Sequence, residues 1–176
     1  MSHLIIDVSD IIEHRGAEKE FAGSISFEAA KMGERQVEFA EPAAVSGVLR
    51  NVSHGILAEG RVTAVVELEC SRCLDKFVQP IAIDLEELFV SHPERQGGEE
   101  EKEVFPIIGN KIDLGPAVYQ LILTEIPFKP LCRPDCAGIC PVCGRNKNKY
   151  PHICQEEAVD IRMAKLKNLF KKERKQ

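Results

Sequence analysis

Arg61-Val-Thr-Ala-Val-Val-Glu-Leu-Glu-Cys70-Ser-Arg-Cys73-Leu-Asp-Lys-Phe77-Val-Gln-Pro-Ile-Ala-Ile-Asp-Leu-Glu-Glu-Leu-Phe-Val90 is the stretch that decides the fold. From Arg61 to Glu69, Val62, Ala64, Val66 and Leu68 alternate with Thr63, Val65, Glu67 and Glu69. A period of two sends one row to a buried face and the other toward water, which is the pattern of a β-strand. Phe77 to Val90 alternates again, through Val78, Ile81, Ile83, Leu85 and Leu88. The sequence therefore predicts two long antiparallel strands, with Cys70 and Cys73 in the turn that joins them.

Toward the N-terminus, residues 3–12 read as a strand running into a turn or short helix. Residues 13–20 read as a loop or short helix, and Ala43 to Ser53 as a strand with Val45, Val48 and Val52 near one face. Gly55 and Gly60 bound a short apolar piece. Toward the C-terminus, residues 91–103 form an acidic, glycine-containing loop. Strand character resumes at Val104–Ile108, and Gly109-Asn110 is a hairpin signal. Asp113 is the expected N-cap of a helix with Pro116 in its first turn and Ala117, Leu121, Ile122 and Ile126 along one side; Pro127 ends it. The expected class is α+β. A β-rich, antiparallel, barrel-like body with one internal helix occupies residues 1–128. A cysteine-rich, zinc-binding tail and a C-terminal basic helix occupy 129–176.

Five of the seven cysteines fall between Cys132 and Cys154. An odd number suits a disulfide framework poorly. No basic n-region with an apolar h-region opens the sequence, and no apolar run reaches the roughly 18 residues of a membrane span. A cytoplasmic protein with reduced thiols is the expectation. A thioredoxin-like redox pair would sit in a βαβ unit, which does not follow Cys70. Zinc is the favoured reading, ahead of a redox pair or unliganded thiols, because two thiolates two residues apart can reach one tetrahedral ion at about 2.3 Å. The candidate ligands are Cys132, Cys136, Cys140, Cys143 and Cys154, with Cys70, Cys73 and His152 as additional ones. Two arrangements are open. Cys70 and Cys73 pair with Cys140 and Cys143 as a zinc ribbon, or the tail closes on itself, Cys140 and Cys143 taking partners from Cys132, Cys136, Cys154 and His152. The second needs only local loop closure. His152, following Pro151, also reads as a plain surface residue.

Residues 129–176 carry 12 Lys and Arg against 5 Asp and Glu, whereas the first 128 carry 11 against 23. An acidic body with a basic tail points to a polyanionic partner. Lys147, Lys149, Lys165, Lys167, Lys171, Lys172 and Arg174 are the candidate nucleic-acid contacts; a merely solubilising terminal helix is the plainer alternative. Glycine-rich phosphate loops and hydrolase signatures are missing. Asp84, Glu86 and Glu87 read as a solvated strand face, and thiolate-rich zinc sites are normally closed and structural. The expectation is a protein without catalysis.

These features together resemble the YceD-type large-subunit ribosomal RNA accumulation proteins of bacteria and plastids. The resemblance rests on the strand ending in Cys70-Ser-Arg-Cys73-Leu74 with Phe77, and on the helix ending Leu123-Thr-Glu-Ile-Pro127-Phe-Lys-Pro-Leu131-Cys132. It rests most on Cys136-Ala-Gly-Ile-Cys140-Pro-Val-Cys143-Gly144-x-Asn146 and Asp160-Ile-Arg162-x-x-x-Leu166-x-x-Leu169. Where many members have Cys-x-Cys, this chain has His152-Ile-Cys154. The resemblance implies a role in large-subunit ribosomal RNA accumulation or processing and ribosome assembly, through RNA or a ribosomal protein. The rival expectations are a zinc-ribbon protein-interaction or transcription-associated module without RNA contact and, third, a thiol redox protein.

Overall fold

The computed structural model describes residues 3–32, 35–91, 104–152 and 154. Most of the expected acidic loop and the expected C-terminal basic helix, with Lys165, Lys167, Lys171, Lys172 and Arg174, lie outside the described residues. The described elements are β1 (Ile5–Asp7), β2 (Glu18–Ile25), β3 (Ala30–Met32), β4 (Arg35–Phe39), β5 (Ala43–Val52), β6 (Gly55–Glu69), β7 (Lys76–Val90), β8 (Phe105–Pro106), β9 (Lys111–Asp113) and α1 (Gly115–Glu125). They fall into two units. One comprises Met1–Cys70 with Asp75–Cys132, the other Ser71–Leu74 with the chain from Arg133 onward.

In the first unit, β6 and β7 pair antiparallel without interruption from Ile56 opposite Phe89 to Glu69 opposite Lys76. Val62, Ala64, Val66 and Leu68 are all buried, as their alternation predicts. In β7 the buried row is Ile81, Leu85 and Phe89, whereas Val78 is 56% exposed. Val78 and Leu88 belong to the outward row, because a one-residue change of phase moves a side chain to the opposite face. The same shift holds in β5, whose buried row is Ala43, Val45, Leu49 and Asn51, with Val48 and Val52 only half-buried.

The expected barrel does not form. The sheet runs β2-β5-β6-β4-β3, with β7 added to β6 and β8 to β7. Because β7 lies along the whole of β6, β5 and β4 take separate lengths of its other edge. No pairing among the described residues joins the ends of this sheet, and β1 pairs only with β9. The apolar face is covered by other means. Val8, Ile11, Ile112, Leu114, Ala117, Val118 and Ile122 enter the same core as the sheet residues. Burial by a helix and by the two-stranded β1–β9 sheet with the turn after β1 replaces burial by closure.

Two segments differ from the pattern for identifiable reasons. Residues 18–20, expected to end a loop or short helix, instead begin strand β2 (Glu18–Ile25); only Phe21 and Ile25 are buried, with Gly23 half-buried between them. Gly60 lies inside β6, directly opposite Gly47 of β5. A Cβ on Gly47 would sit 2.1 Å from the Glu59 carbonyl oxygen, and one on Gly60 2.2 Å from that of Ser46. The two backbones approach too closely there for any side chain. Asn51 is a buried polar residue, and its Nδ2 donates to the carbonyl oxygens of Ile11 and Ile12 at 2.7 and 2.8 Å.

Gly109 and Asn110 both have positive φ, 57° and 58°, as a two-residue hairpin turn requires. The turn delivers β9 to β1 and leads into α1. Leu114 is the N-cap position, one residue later than expected. Asp113 still accepts the Gly115 N–H at 2.9 Å.

Candidate metal centres

Two short segments share one backbone geometry. In Cys70-Ser-Arg-Cys73-Leu74-Asp75, the Cys70 N–H donates to the Asp75 carbonyl at 3.0 Å. In Cys140-Pro-Val-Cys143-Gly144-Arg145, the Cys140 N–H donates to the Arg145 carbonyl at 2.8 Å. The residue after the second cysteine has positive φ in both, 62° at Leu74 and 71° at Gly144. Glycine adopts that conformation freely, while for leucine it costs on the order of 1 kcal/mol or more. Both loops are thus knuckles that turn two sulfurs to one side, and the first holds its turn against the preference of its own residue.

Each knuckle meets a different pair of partners. Cys70, Cys73, Cys132 and Cys136 bring four sulfurs within 4.8 Å of one another. Cys140, Cys143, His152 and Cys154 bring three sulfurs and an imidazole nitrogen within the same limit. No disulfide joins any of the seven cysteines. Four donors bound at about 2.3 Å to one tetrahedral ion lie roughly 3.8 Å apart, so both sets fit a metal. Cys70 and Cys73 therefore do not meet Cys140 and Cys143, and Cys132 and Cys136 do not join the downstream knuckle. Loop-closure entropy does not disfavour the first set, because the chain from Cys73 to Cys132 folds into β7, β8, β9 and α1, each with its own stabilising contacts.

The first set is mostly buried, with Cys70 at 0%, Cys136 at 3% and Cys73 at 4% exposure. Asn148 Nδ2 donates to Cys136 Sγ at 3.2 Å, a hydrogen bond that favours the thiolate. Asn148 Oδ1 accepts from the Ala137 N–H at 2.8 Å and from Arg133 Nη2 at 2.6 Å. Arg72, between the knuckle cysteines, donates from Nη1 to the Cys136 carbonyl at 3.0 Å, and its own carbonyl accepts from Ile139 N–H at 3.0 Å. Gly138 has φ +70°, and a Cβ there would lie 3.0 Å from the Arg72 carbonyl oxygen. Arg72, inside the first knuckle, and Asn148 support the site without being ligands.

In the second set, His152 Nδ1 donates to the Tyr150 carbonyl at 2.6 Å, leaving Nε2 facing Cys143 Sγ at 3.0 Å. A metal-binding histidine commonly spends its other nitrogen on a carbonyl in this way. The backbone N–H groups of Cys143 and Val142 hold the Cys140 thiol down to about 6, and the Arg145 N–H lowers Cys143. The Cys154 thiol is pushed up to about 11, first by its hydrogen bond with Cys143 and then by burial. The Tyr150 carbonyl is the main cause of a raised His152. Thiolate-stabilising amides with a lone pair opposite them make a site prepared for a cation.

Of the candidate nucleic-acid contacts, Lys147 and Lys149 are among the described residues. Lys149 is exposed and Lys147 half-buried, with its N–H on the Gly138 carbonyl at 2.9 Å. Asp84 and Glu86 are exposed on the outward row of β7, as a solvated face requires, whereas Glu87, expected with them, is half-buried in phase with Leu85 and Phe89. No helix among the described residues is long and apolar enough to cross a membrane.

The model of the family described as large ribosomal RNA subunit accumulation protein YceD matches residues 58–170. An uncharacterized protein of Mycobacterium tuberculosis (strain ATCC 25618 / H37Rv) is 38% identical over 120 residues, covering 67% of this chain and 57% of the relative. An uncharacterized protein of Mycobacterium leprae (strain TN) is 30% identical over 138 residues, covering 76% and 62%. The Arabidopsis thaliana protein named large ribosomal RNA subunit accumulation protein YCED homolog 1, chloroplastic, is 26% identical over 138 residues, covering 63% and 43%. The chain thus spans less than two thirds of each of these relatives' length. No solved structure matches the chain.

Proposed function

The chain belongs to the YceD family, and on that premise we propose that it is a non-catalytic factor for large-subunit ribosomal RNA accumulation that acts in the cytoplasm. It holds one zinc ion in each cysteine set and binds ribosomal RNA or an assembly intermediate through the basic residues carried by and following those sets. The observation that carries this reading is the extent of the family match. Residues 58–170 include all seven cysteines, His152, Lys147, Lys149, Lys165 and Lys167. Thiolate-rich, four-ligand sites leave no open position for substrate, which supports a scaffolding role for the metal.

RNA binding is tested through its salt dependence. If the tail neutralises phosphates, affinity falls steeply with salt. Changing Lys171, Lys172 and Arg174 together to Gln then weakens binding and flattens the log–log slope by roughly two to three units. Unchanged affinity and slope would favour the interaction module that contacts a protein instead. Asn148 tests the metal support. Asn148→Ala removes the donor to Cys136, and metal affinity of the first set is expected to fall about 10- to 100-fold in chelator competition. An unchanged affinity would show that Asn148 does not tune that sulfur.

A further inference from the structure

Tyr150 is an exposed aromatic residue in a chain with no Trp and only two Tyr. The other, Tyr119, packs against Phe27 and Phe39 in the first unit, with ring centroids 5.4 and 6.4 Å away. Tyr150 is 62% exposed, yet its backbone is held on both sides. Its N–H donates to the Asn146 carbonyl at 2.9 Å, and its carbonyl accepts from His152 Nδ1 at 2.6 Å. The proposed metal ligand His152 therefore fixes the segment that carries the ring. From Cys136 to Cys154 the sequence contains Arg145, Lys147 and Lys149 and no Asp or Glu.

We propose that Tyr150 is a stacking platform for an unpaired base of single-stranded RNA, with Arg145, Lys147 and Lys149 taking the neighbouring phosphates. The proposal rests on the RNA-binding reading above and adds the form of RNA that is bound. Basic residues flanking an aromatic ring in sequence, on a fixed backbone, supply the cations and the stacking face that hold single strands without sequence preference. In a duplex the base faces are already stacked and out of reach, so the same ring discriminates against paired RNA. A carboxylate in this stretch would repel phosphate, and there is none. The phenol, being largely exposed, contributes little to the fold through its side chain.

The test uses the full chain with its metal as purified, a mixed-sequence single-stranded RNA, and the duplex of that strand with its complement. With no Trp present, emission comes from Tyr119 and Tyr150, and comparison with Y150F isolates the Tyr150 ring. The single strand is expected to quench emission and the duplex to leave it largely unchanged. Y150A is expected to weaken single-strand affinity about tenfold with metal content unchanged. Y150F should keep the affinity and lose the quenching component of Tyr150. Binding of the single strand with equal affinity by Y150A and the native chain, without quenching, would overturn the stacking role and leave RNA binding intact. No binding of either RNA at low salt would instead remove the RNA reading on which the proposal stands.

Discussion

Replacing Cys136 with serine is expected to abolish metal binding at Cys70, Cys73, Cys132 and Cys136, while Cys140, Cys143, His152 and Cys154 keep theirs. The Cys136 side chain is buried, and its sulfur is both a member of the four-donor set and the acceptor of the Asn148 amide. A serine hydroxyl does not ionise near neutral pH and is a poor zinc ligand. Metal at a structural site contributes on the order of 10–16 kcal/mol to local folding, so removing one of four ligands has a large effect. The loss should be confined. Hydrogen exchange is expected to rise at the Cys136 and Ile139 amides, which donate to the carbonyls of Arg133 and Arg72. Protection should persist at β6 and β7, whose core includes Ile56, Val62, Leu85 and Phe89. Loss of both ions in this variant would mean that the two sets do not act separately.

Alanine at Gly47 is expected to disrupt the β body strongly. The new Cβ would lie 2.1 Å from the Glu59 carbonyl oxygen and 2.6 Å from Gly60 Cα, both of them backbone atoms in the middle of a paired strand. Neither can rotate away as a side chain would, so β5 and β6 must separate. A destabilisation above about 4 kcal/mol follows, a size associated with a specific structural fault. Gly16→Ala is the control. Gly16 has φ +83° with nothing within 4 Å of an added Cβ, so only conformational strain of about 1 kcal/mol is expected. Urea denaturation of the two variants checks the contrast, and a Gly47→Ala protein as stable as Gly16→Ala would contradict the close approach.

The long strands and the helix were legible because their side chains alternate or recur with regular spacing. Val62 to Leu68 form a buried row, and Gly109-Asn110 has the residues its turn needs. Strand β2 was not, since Gly23 interrupts its apolar row and charges fill its start. The phase of β7 was ambiguous because Val78 and Leu88 put apolar residues on both faces. At the candidate site, both cysteine pairs were visible from spacing alone. For Cys140 and Cys143, the partners His152 and Cys154 were already among the candidates. For Cys70 and Cys73 the partners were not legible, because they depend on how β7 and α1 fold the chain between Cys73 and Cys132. Arg72 and Asn148 bear no spacing signal, since each acts through hydrogen bonds to backbone or sulfur that only the folded chain creates.

The most direct measurement is the metal content of the intact chain by native mass spectrometry, with protein prepared under reducing conditions and without chelator. Two zinc ions per chain are expected, with C73S and C143S each losing one and the double variant losing both. A single ion lost equally in C73S and C143S, or no metal in any of them, would contradict two separate centres.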